Sequence, residues 1–394
     1  MVSRELTKDV WWVGAFDFDR RLFDELVPLP DGTSYNAYLV KGSEKTALID
    51  TVDPSKEYDL ISNLVRLGIE KIDYIVINHA EQDHAGSLPM VLEFFQNAQI
   101  ITNEKCRDLL ISLLHVPDDR FMVIKDGETL SLGDRTLQFF LTPWTHWPET
   151  QITFLVEDKI LFPCDLFGFH EATSELFVTD EAAAYRSAKR YYAEIMMPFR
   201  SSIKGYVEKV RGLSPKMIAP SHGPVHSRPA FILDAYADWV SDTVKNQVVI
   251  PYVSMHGSTA KMVDYLTGAL VTRGITVKPF NLTRTDSGAL ALALVDAATL
   301  VVATPTVLFG PHPKVVCATY LANVLRPKTR FATVIGSYGW GGKAVETITK
   351  MLDHVNVEML PTVMVKGEPD EATMQALEGL ADDILKKHKE INIV

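Results

Sequence analysis

The loop Asn78–His84 carries four side chains that can bind a metal, and they lie within six residues of one another. They are His79, Glu81, Asp83 and His84. The loop follows the apolar run Tyr74–Ile77, which predicts a buried strand, and Gly86 and Pro89 come soon after it. Loops at strand ends often carry catalytic groups, because the rigid sheet fixes their base. We therefore predict a metal site, although a polar turn in which Asp83 caps a helix is the plainer alternative.

The types of ligand narrow the choice of metal. Two histidines with two carboxylates offer nitrogen and oxygen atoms and no thiolate. Such a set suits iron or manganese, whereas zinc and copper sites often include cysteine. A carboxylate can also bridge two metals that are held close together. The loop is therefore consistent with an oxygen-rich site for two metals, and it leaves the identity of the metal open.

Three further candidate ligands follow later strand-like runs, and each lies near a proline or glycine. They are His146, Asp165 and His222. Their shared position at strand ends indicates that the fold brings them to the same site as the first loop. Taken singly, His146 could equally be a packed core histidine and Asp165 a turn residue.

The elements that must position these residues fill the first part of the chain. Strands are expected over 10–13, 37–40, 46–50, 121–125, 136–142, 152–156, 159–164 and 216–219, and helices over 56–68, 85–96, 104–114, 181–211 (interrupted by Pro198) and 228–242. Strand-rich blocks flanked by helices in two halves are consistent with an αββα sandwich. Asp50, at the end of one strand, is expected to support the metal loop from behind.

The pattern changes near residues 242–246, so the expected domains are 1–246 and 247–394. Strands are then expected over 248–250, 277–280, 300–303, 331–335 and 357–365, alternating with helices over 258–273, 285–296, 314–325, 343–354 and 370–388. This strict alternation predicts a doubly wound parallel sheet of about five strands. The apolar stretch 289–309 is long enough to span a bilayer. Because it contains Asp296 and Pro305, we interpret it as a helix end followed by a buried strand.

The loop after the first strand of this sheet is rich in small hydroxyl residues and opens a helix. It comprises Ser254, Met255, His256, Gly257, Ser258 and Thr259. Free N–H groups and the helix dipole favour a phosphate there, and the loop has no lysine of the kind that an ATP-binding loop carries. In these respects it resembles the FMN loop of flavodoxins. An ordinary N-capped helix is the simpler explanation of the loop taken alone.

Two more loops follow strands of the same sheet. The second comprises Thr304, Pro305, Thr306, Val307, Leu308, Phe309 and Gly310, and the third comprises Ser337, Tyr338, Gly339, Trp340 and Gly341. Both contain glycine or proline at positions where the backbone must come close to a flat ring. Ligands on such sheets bind at the carboxyl ends of the strands, so the three loops together predict an FMN site.

The order His-x-Glu-x-Asp-His, followed by His, Asp and His, resembles the metallo-β-lactamase-like domain of flavodiiron proteins. The C-terminal third resembles their flavodoxin domain, so the resemblance covers nearly the whole chain. Most hydrolases on this fold have a second histidine where this chain has Glu81. The resemblance implies one iron on His79, Glu81 and His146, the other on Asp83 and His222, and Asp165 as the bridge. His84 stays open, because some members use it as a ligand and others have water in its place.

The resemblance extends to residues around the two sites. His170 resembles a histidine that lines the metal pocket of the family behind the ligands. Trp147 is also expected behind the ligands, and His226 is expected either at the surface or behind them. The sequence departs from the family at Asp24, where many relatives have a histidine. It departs again near Val307–Leu308, where relatives often carry two asparagines. The substrate pocket and the flavin contacts are therefore expected to differ at these places.

The resemblance implies an oxidoreductase that reduces dioxygen to water, or nitric oxide to nitrous oxide, at a non-haem diiron site. Its expected cofactors are two iron ions and one FMN per chain, with the electrons delivered through FMN. We expect no third domain after the flavodoxin-like part, and hence an external electron donor such as rubredoxin or reduced deazaflavin. The family forms head-to-tail homodimers, so the resemblance implies the same assembly here, or a dimer of such dimers.

Composition narrows the partners and the location. The 394 residues carry a net charge of −11, which argues against a nucleic-acid surface. The three cysteines, Cys106, Cys164 and Cys317, form no CxxC pair, and each is expected to be a buried thiol. Cys164 is next to Asp165, so a position behind the metal ligands is its alternative. No secretory signal is visible, so we expect a cytoplasmic protein that does not enter a membrane.

Two other classes of function stay open on the sequence alone. A metallo-hydrolase such as a thioesterase, with a regulatory flavin domain, would share the fold, but Glu81 in place of histidine counts against it. An electron carrier that has lost its metals would also share the fold, but the complete ligand set counts against it. Metal and flavin analysis of the purified protein separates the three.

Overall fold

The computed structural model describes residues 3–394, and Met1 and Val2 lie outside the described residues. The chain divides into two units. The first takes the chain up to Tyr192 together with Phe199–Val240, and the second takes Ser241–Val394 together with the short segment Ala193–Pro198.

Short strands and seven α-helices make up the described part of the first unit. The strands are β1 Arg4–Thr7, β2 Val10–Trp12, β3 Ala15–Asp17, β4 Leu22–Phe23, β5 Val27–Pro28, β6 Thr33–Tyr35, β7 Tyr38–Lys41, β8 Thr46–Ile49, β9 Tyr74–Val76, β10 Gln99–Thr102, β11 Phe121–Val123, β12 Thr129–Ser131, β13 Thr136–Leu141, β14 Gln151–Leu155, β15 Ile160–Phe162 and β16 Met217–Ile218. The helices are α1 Glu57–Arg66, α2 Gln82–Ala85, α3 Leu88–Phe94, α4 Glu104–Leu114, α5 Glu181–Tyr191, α6 Arg200–Leu213 and α7 Pro229–Val240. A π-helical turn, Tyr192–Met196, and a 3-10 turn, Met197–Phe199, separate α5 from α6 at the interruption that Pro198 predicts.

Two stacked sheets form the centre of this unit. One has the strand order β1-β2-β7-β8-β9-β10-β11 and the other β12-β13-β14-β15-β16. Side chains from both sheets, among them Ile49, Val76 and Phe139, share one buried apolar cluster. A separate cluster includes Leu60 and Val91, which join α1 and α3 to the first sheet. This layering confirms the αββα sandwich that the strand pattern predicts.

Two details of the first sheet differ from the sequence pattern. Strand β10 pairs in parallel with β9, although the sequence indicates no strand in the short gap between the helices predicted over 85–96 and 104–114. The first of those predicted helices is divided, because α2 begins inside the metal loop and α3 starts afresh with Pro89 in its first turn. The strands β7 and β8 pair as an antiparallel hairpin, with Tyr38 opposite Ile49.

Strands alternate with helices in the second unit. The strands are β17 Lys245–Tyr252, β18 Thr276–Asn281, β19 Ala297–Val307, β20 Gly310–Pro311, β21 Phe331–Tyr338, β22 Glu358–Met359 and β23 Val363–Lys366. The helices are α8 Ser258–Thr272, α9 Ser287–Leu294, α10 Pro313–Leu325, α11 Ala344–Met351 and α12 Glu371–Glu390. The order β18-β17-β19-β21-β22, parallel throughout and with β23 also beside β21, is the expected flavodoxin-like sheet. The strand predicted over 357–365 is divided into β22 and β23 at Pro361, which has no N–H to donate.

The apolar stretch 289–309 contains the end of α9 and then β19, which is buried from Ala297 to Pro305. Within residues 3–394, no helix has the length and apolar character needed to cross a bilayer. Cys106 and Cys164 are buried as expected, but the same expectation is wrong for Cys317, which is exposed on α10. It lies three residues from both Lys314 and Tyr320, on the face of α10 that meets solvent.

Candidate metal centre and flavin cleft

The predicted metal-binding side chains lie together at the ends of strands from both sheets. The loop after β9 supplies His79, Glu81, Asp83 and His84, and the segments after β13, β15 and β16 supply His146, Asp165 and His222. They form two groups with closely spaced ligand atoms, His79 with Glu81, His146 and Asp165, and Asp83 with His84 and His222.

The Asp165 carboxylate lies between these two groups. Its Oδ2 is 3.7 Å from Nε2 of His79 and 3.6 Å from Nε2 of His146. Its Oδ1 is 3.1 Å from Nε2 of His84 and 3.3 Å from Nε2 of His222. Each oxygen therefore faces a different pair of histidines, which is the geometry that a bridge between two metals requires.

The remaining distances suit metal coordination. Glu81 Oε2 lies 2.9 Å from Nε2 of His79 and 3.2 Å from Nε2 of His146. On the other side, Asp83 Oδ2 lies 3.1 Å from Nε2 of His222. Ligand atoms that share one metal at about 2.1 Å lie about 3.0 to 3.4 Å apart, so these spacings leave room for a metal within each group.

Several buried polar atoms of the cluster have no hydrogen-bond partner among the residues that the structure describes. They include both carboxylate oxygens of Asp83, both ring nitrogens of His84 and Oδ2 of Asp165. Buried polar atoms are costly when unpaired, so this arrangement fits bound cations.

The ionisation of these groups points the same way. Burial works against the charged form of Asp165, but the positive charge of His84 and the close contacts with His146 and His222 outweigh it, so the pKa of Asp165 lies well below its usual range. Burial also works against imidazolium at His222, but the adjacent carboxylates of Asp165 and Asp83 raise the pKa of His222 to about 10. Positive charge therefore stabilises the buried carboxylates. Metal ions supply this charge when they replace the protons of the histidine rings.

The metal loop is held from behind, as predicted for Asp50. This carboxylate accepts a hydrogen bond of 2.7 Å from the Asn78 backbone N–H and one of 2.9 Å from the Asn78 side chain. Burial raises the pKa of Asp50 to about 6. The backbone N–H and the hydroxyl of Thr51 both donate to the carbonyl of His84 at 2.7 Å. His84 and the start of the loop are therefore fixed by the strand-end segment that follows β8.

The aromatic residues expected behind the ligands border the cluster. The Trp147 ring centre lies 4.9 Å from that of His79, and the His170 ring centre lies 4.6 Å from that of His222. His226 is not at the surface, because its ring is buried and its Nε2 donates to the carbonyl of Phe167. The surface alternative for His226 is therefore wrong.

The three predicted FMN loops meet at the carboxyl ends of the strands in the parallel sheet of the second unit. They border a cavity of about 300 Å³ whose lining includes Ser254, Met255, His256, Ser258, Thr259, Pro305, Thr306, Ser337, Tyr338 and Gly339. The Thr259 hydroxyl lies 3.2 Å from that of Ser337 and ties the first loop to the third. Ser254 Oγ accepts from the N–H groups of Gly257 and Ala260, as a helix cap does. The hydroxyls and the amino end of the 15-residue α8 suit a phosphate.

Some of the predicted flavin residues lie outside this lining. Thr304 is buried in the sheet, and Gly341 lines an adjoining cavity of about 570 Å³ together with Thr306 and Tyr338. Leu308, Phe309 and Trp340 are 84%, 69% and 68% exposed. The rings of Phe309 and Trp340 lie 4.6 Å apart, edge to face. The cavity is also lined by Gly367 and Glu368, which follow β23 and belong to no sequence motif.

Comparisons with known proteins show which family the chain resembles. The model of the ODP family beta lactamase matches residues 33–223. A nitric oxide reductase of Moorella thermoacetica is 36% identical over 372 residues, which cover 91% of this chain and 92% of the relative. The solved structure of rubredoxin oxygen:oxidoreductase from Desulfovibrio gigas has a TM-score of 0.95 at 32% identity, covering 98% of this chain and 99% of that one. The flavodiiron protein from Giardia intestinalis has a TM-score of 0.90 at 27% identity, covering 98% and 97%.

The chain belongs to the flavodiiron protein family. It is an oxidoreductase of this class, and its cofactors are FMN and a diiron site. The donor set of the first unit and the hydroxyl-lined cleft of the second fit these groups.

Contacts that the sequence did not reveal lie around the candidate ligands. Tyr191 Oη donates to Asp165 Oδ1 at 2.8 Å, and Thr33 Oγ1 lies 2.9 Å from Nδ1 of His170. Glu149 Oε1 lies 2.6 Å from Nδ1 of His79. Glu149 comes three residues after a candidate ligand, which is a weak signal, whereas Tyr191 and Thr33 belong to no motif.

Asp24, the departure near the substrate pocket, lies in the turn of the β4–β5 hairpin. Partial burial raises its pKa, and the charges of Glu81 and Asp83 add to the rise. The adjacent Phe23 ring lies 5.1 Å from that of His170. The hairpin therefore borders the metal pocket. Its Asp24 carboxyl group is close enough to feel the charges of Glu81 and Asp83.

Proposed function

We propose that this protein reduces dioxygen to water, or nitric oxide to nitrous oxide, with FMN passing electrons to the two irons. The observation that carries the proposal is the Asp165 carboxylate, whose two oxygens face two different histidine pairs. The names of the relatives support the substrates, since one is a nitric oxide reductase and another a rubredoxin oxygen:oxidoreductase.

We assign the ligands by their distances. One iron is assigned to His79, Glu81 and His146, the other to Asp83, His84 and His222, and Asp165 to both. His84 is included because its Nε2 lies 3.3 Å from Asp83 Oδ1 and 3.1 Å from Asp165 Oδ1. When bound, two irons and FMN supply the electrons that reduce dioxygen or nitric oxide.

The protein's own part is to hold the ligands in place and to enclose the pocket. The Tyr191 hydroxyl donates to Asp165 and fixes the rotation of the bridging carboxylate. His222 Nδ1 donates to the carbonyl of Ser34 at 2.7 Å, which leaves Nε2 free for a metal. Trp147 and His170 pack against ligand rings and limit the water that can reach the site.

We propose that residues 1–246 act as the diiron domain and 247–394 as the FMN domain. The FMN phosphate is assigned to the segment from Ser254 to Thr259 and the flavin ring to the loops from Thr304 to Gly310 and from Ser337 to Gly341. The hydroxyl link between Thr259 and Ser337 supports a preformed phosphate site. Rubredoxin is the proposed electron donor, because a relative is named for it.

We further propose a head-to-tail homodimer in the cytoplasm. Leu308, Phe309 and Trp340 form an exposed apolar edge beside the proposed flavin site, and such an edge suits an interface. All three cysteines are free, which accords with a reducing compartment.

Analysis of the purified protein tests the proposal. We expect two irons and one FMN per chain, and consumption of dioxygen or nitric oxide when reduced rubredoxin is supplied. Both gases are assayed separately under the same donor concentration, which gives the substrate preference. One or two zinc ions, no flavin and esterase activity would contradict it.

A further inference from the structure

Glu149 makes the two halves of the metal centre unequal. Its Oε1 lies 2.6 Å from Nδ1 of His79, and both side chains are fully buried. The far nitrogen of His222 instead meets the neutral carbonyl of Ser34, and that of His84 has no partner within residues 3–394. Among these three histidines, and within the described part of the chain, only His79 has a carboxylate behind it.

The position of Glu149 is itself fixed by the surrounding chain. Its Oε1 also accepts from the Ala80 backbone N–H at 3.2 Å, so one oxygen holds both the ring and the backbone of the metal loop. The Asn103 side chain donates to the carbonyl of Glu149 at 2.6 Å and to Gln151 Oε1 at 3.0 Å. Glu149 is therefore a rigid acceptor and not a mobile surface carboxylate.

The loop that contains Glu149 also supplies His146. Within it, the hydroxyls of Thr145 and Thr150 both donate to the carbonyl of Thr142, at 2.7 and 2.6 Å. The two histidines near Glu81 are thus positioned by one cross-linked loop, His146 as part of it and His79 through Glu149.

A carboxylate on the far nitrogen has a known chemical effect on a metal-bound histidine. It keeps the proton on Nδ1, so that the lone pair of Nε2 points at the metal, and it makes the ring a stronger donor. Loss of such a partner typically costs about 10- to 100-fold in metal affinity or activity.

We propose that Glu149 is a positioning residue that makes the His79–Glu81–His146 half of the site hold its iron more tightly than the Asp83–His84–His222 half. The inference rests on the proposed function, because it assigns these histidines to iron. It predicts that the two irons leave the protein at different rates, and that Glu149 sets the slower one.

The test is iron release from the FMN-loaded, full-length protein into a chelator, compared between wild type and Glu149→Gln. The amide keeps the size of the side chain and removes its charge. We expect wild type to lose its irons in two phases, and the variant to lose the slower iron about 10- to 100-fold faster while the faster phase stays unchanged. Mössbauer spectra should show altered parameters for one iron and wild-type parameters for the other, which a general loss of structure would not produce.

Glu104→Gln is the matched control. Glu104 borders the same cavity of about 310 Å³ as Glu149, but its side chain is 76% exposed and its described ion-pair partner is Arg107. This variant should release iron as wild type does. If Glu149→Gln loses FMN or fails to fold, Glu149→Asp takes its place, because the shorter side chain keeps the charge and withdraws it from Nδ1. Faster release of one iron is again expected.

Two results separate the inference from the proposed function. A folded Glu149 variant with wild-type release rates and wild-type spectra for both irons would overturn the role of Glu149 alone. If the purified wild-type protein has no iron and no reductase activity, the proposed function itself is wrong, whatever the variants show.

Discussion

At the scale of single residues, Asp165 is the side chain that faces both halves of the proposed metal centre. Each of its oxygens faces one histidine pair, and Tyr191 holds the carboxylate by a hydrogen bond of 2.8 Å. We expect Asp165→Ala to lose both irons and to reduce turnover by more than about 100-fold, beyond the usual effect of an outer partner. FMN content should stay at one per chain. Iron and flavin analysis beside a reductase assay checks this.

His226→Ala is the control for that change. His226 is also a buried histidine near the site, but its described hydrogen bond is to the carbonyl of Phe167. The variant should keep both irons, with a loss of stability typical of a buried side chain, about 1 to 3 kcal/mol. If the Asp165→Ala variant reduces its substrate at the wild-type rate, Asp165 is not a metal ligand.

The sequence predicted the candidate ligands better than their surroundings. Residues such as His146 and Asp165 were recognisable because each follows an apolar run and adjoins a turn. Glu149 was not, because its partner His79 is 70 positions away and no spacing rule links them. Tyr191 was missed for a similar reason, since the last residue of a helix carries no signal of what it will touch.

At the scale of secondary-structure elements, the pairing of β19 with β21 positions two of the proposed FMN loops. Gly336 pairs with Thr304, and a Cβ at position 336 would clash with the Thr304 carbonyl oxygen. A glycine in a strand interior often marks such a close backbone approach. Gly336→Ala should therefore push the strands apart at a cost of about 1 to 3 kcal/mol and weaken FMN binding about tenfold or more.

Flavin titration of the apoprotein measures this effect, and Gly379→Ala is its control. Gly379 lies in α12, where an added Cβ meets no atom within 4 Å. Alanine there should leave FMN affinity unchanged and stabilise the helix by up to about 1 kcal/mol. Equal FMN affinities for the two alanine variants would show that the strand contact does not set the cleft.

Helix α12 is anchored near its end by His388, which is fully buried. Its Nδ1 lies 2.8 Å from Asn246 Oδ1, an acceptor, so the neutral ring carries its proton there and Nε2 accepts from the Thr299 hydroxyl at 2.8 Å. Burial lowers the pKa of His388 to about 4. The folded pKa lies below the unfolded value of about 6.5. The neutral, hydrogen-bonded ring therefore contributes fully to the free energy of unfolding above about pH 6.5, and this contribution is lost as the pH falls towards about 4.

Denaturant unfolding of the FMN domain, followed by flavin release between pH 7 and 4.5, tests this expectation. His388→Leu should be less stable than wild type at pH 7, and the difference should shrink on acidification, by at most about 1.4 kcal/mol per pH unit. A difference that stays constant over this range would show that the protonation of His388 is not coupled to folding.

Element boundaries were predicted well where periodicity was long and poorly where strands were short. The alternation of the second unit predicted its parallel sheet, including β19 inside a stretch long enough for a membrane span. The strands β3 to β6 have only two or three residues each, and β10 has four. Such short runs carry too few positions for a period to be recognised, and pairing with neighbouring strands decides their structure.

At the scale of the whole molecule, the metal centre and the flavin cleft belong to different units of the chain. Electrons must still pass from FMN to iron, and the exposed edge of Leu308, Phe309 and Trp340 beside the cleft suits contact with a second copy. The proposed head-to-tail dimer would place the flavin of one chain next to the irons of the other. Two-fold symmetry then gives two equivalent sites from one interface.

Mixing two inactive variants tests that arrangement. The first is His79→Ala with Asp165→Ala, which should lose its irons and keep FMN. The second replaces Ser258 and Thr259 by bulky residues, which should lose FMN and keep iron. Each alone should be inactive.

In a head-to-tail heterodimer, the flavin of the first chain faces the irons of the second, so co-expression should restore up to half of the wild-type activity per heterodimer, because one of its two sites is complete. If each chain uses its own flavin, every chain in the mixture lacks one cofactor and no activity returns. Heterodimers isolated with two different affinity tags and still inactive would therefore contradict the head-to-tail assembly.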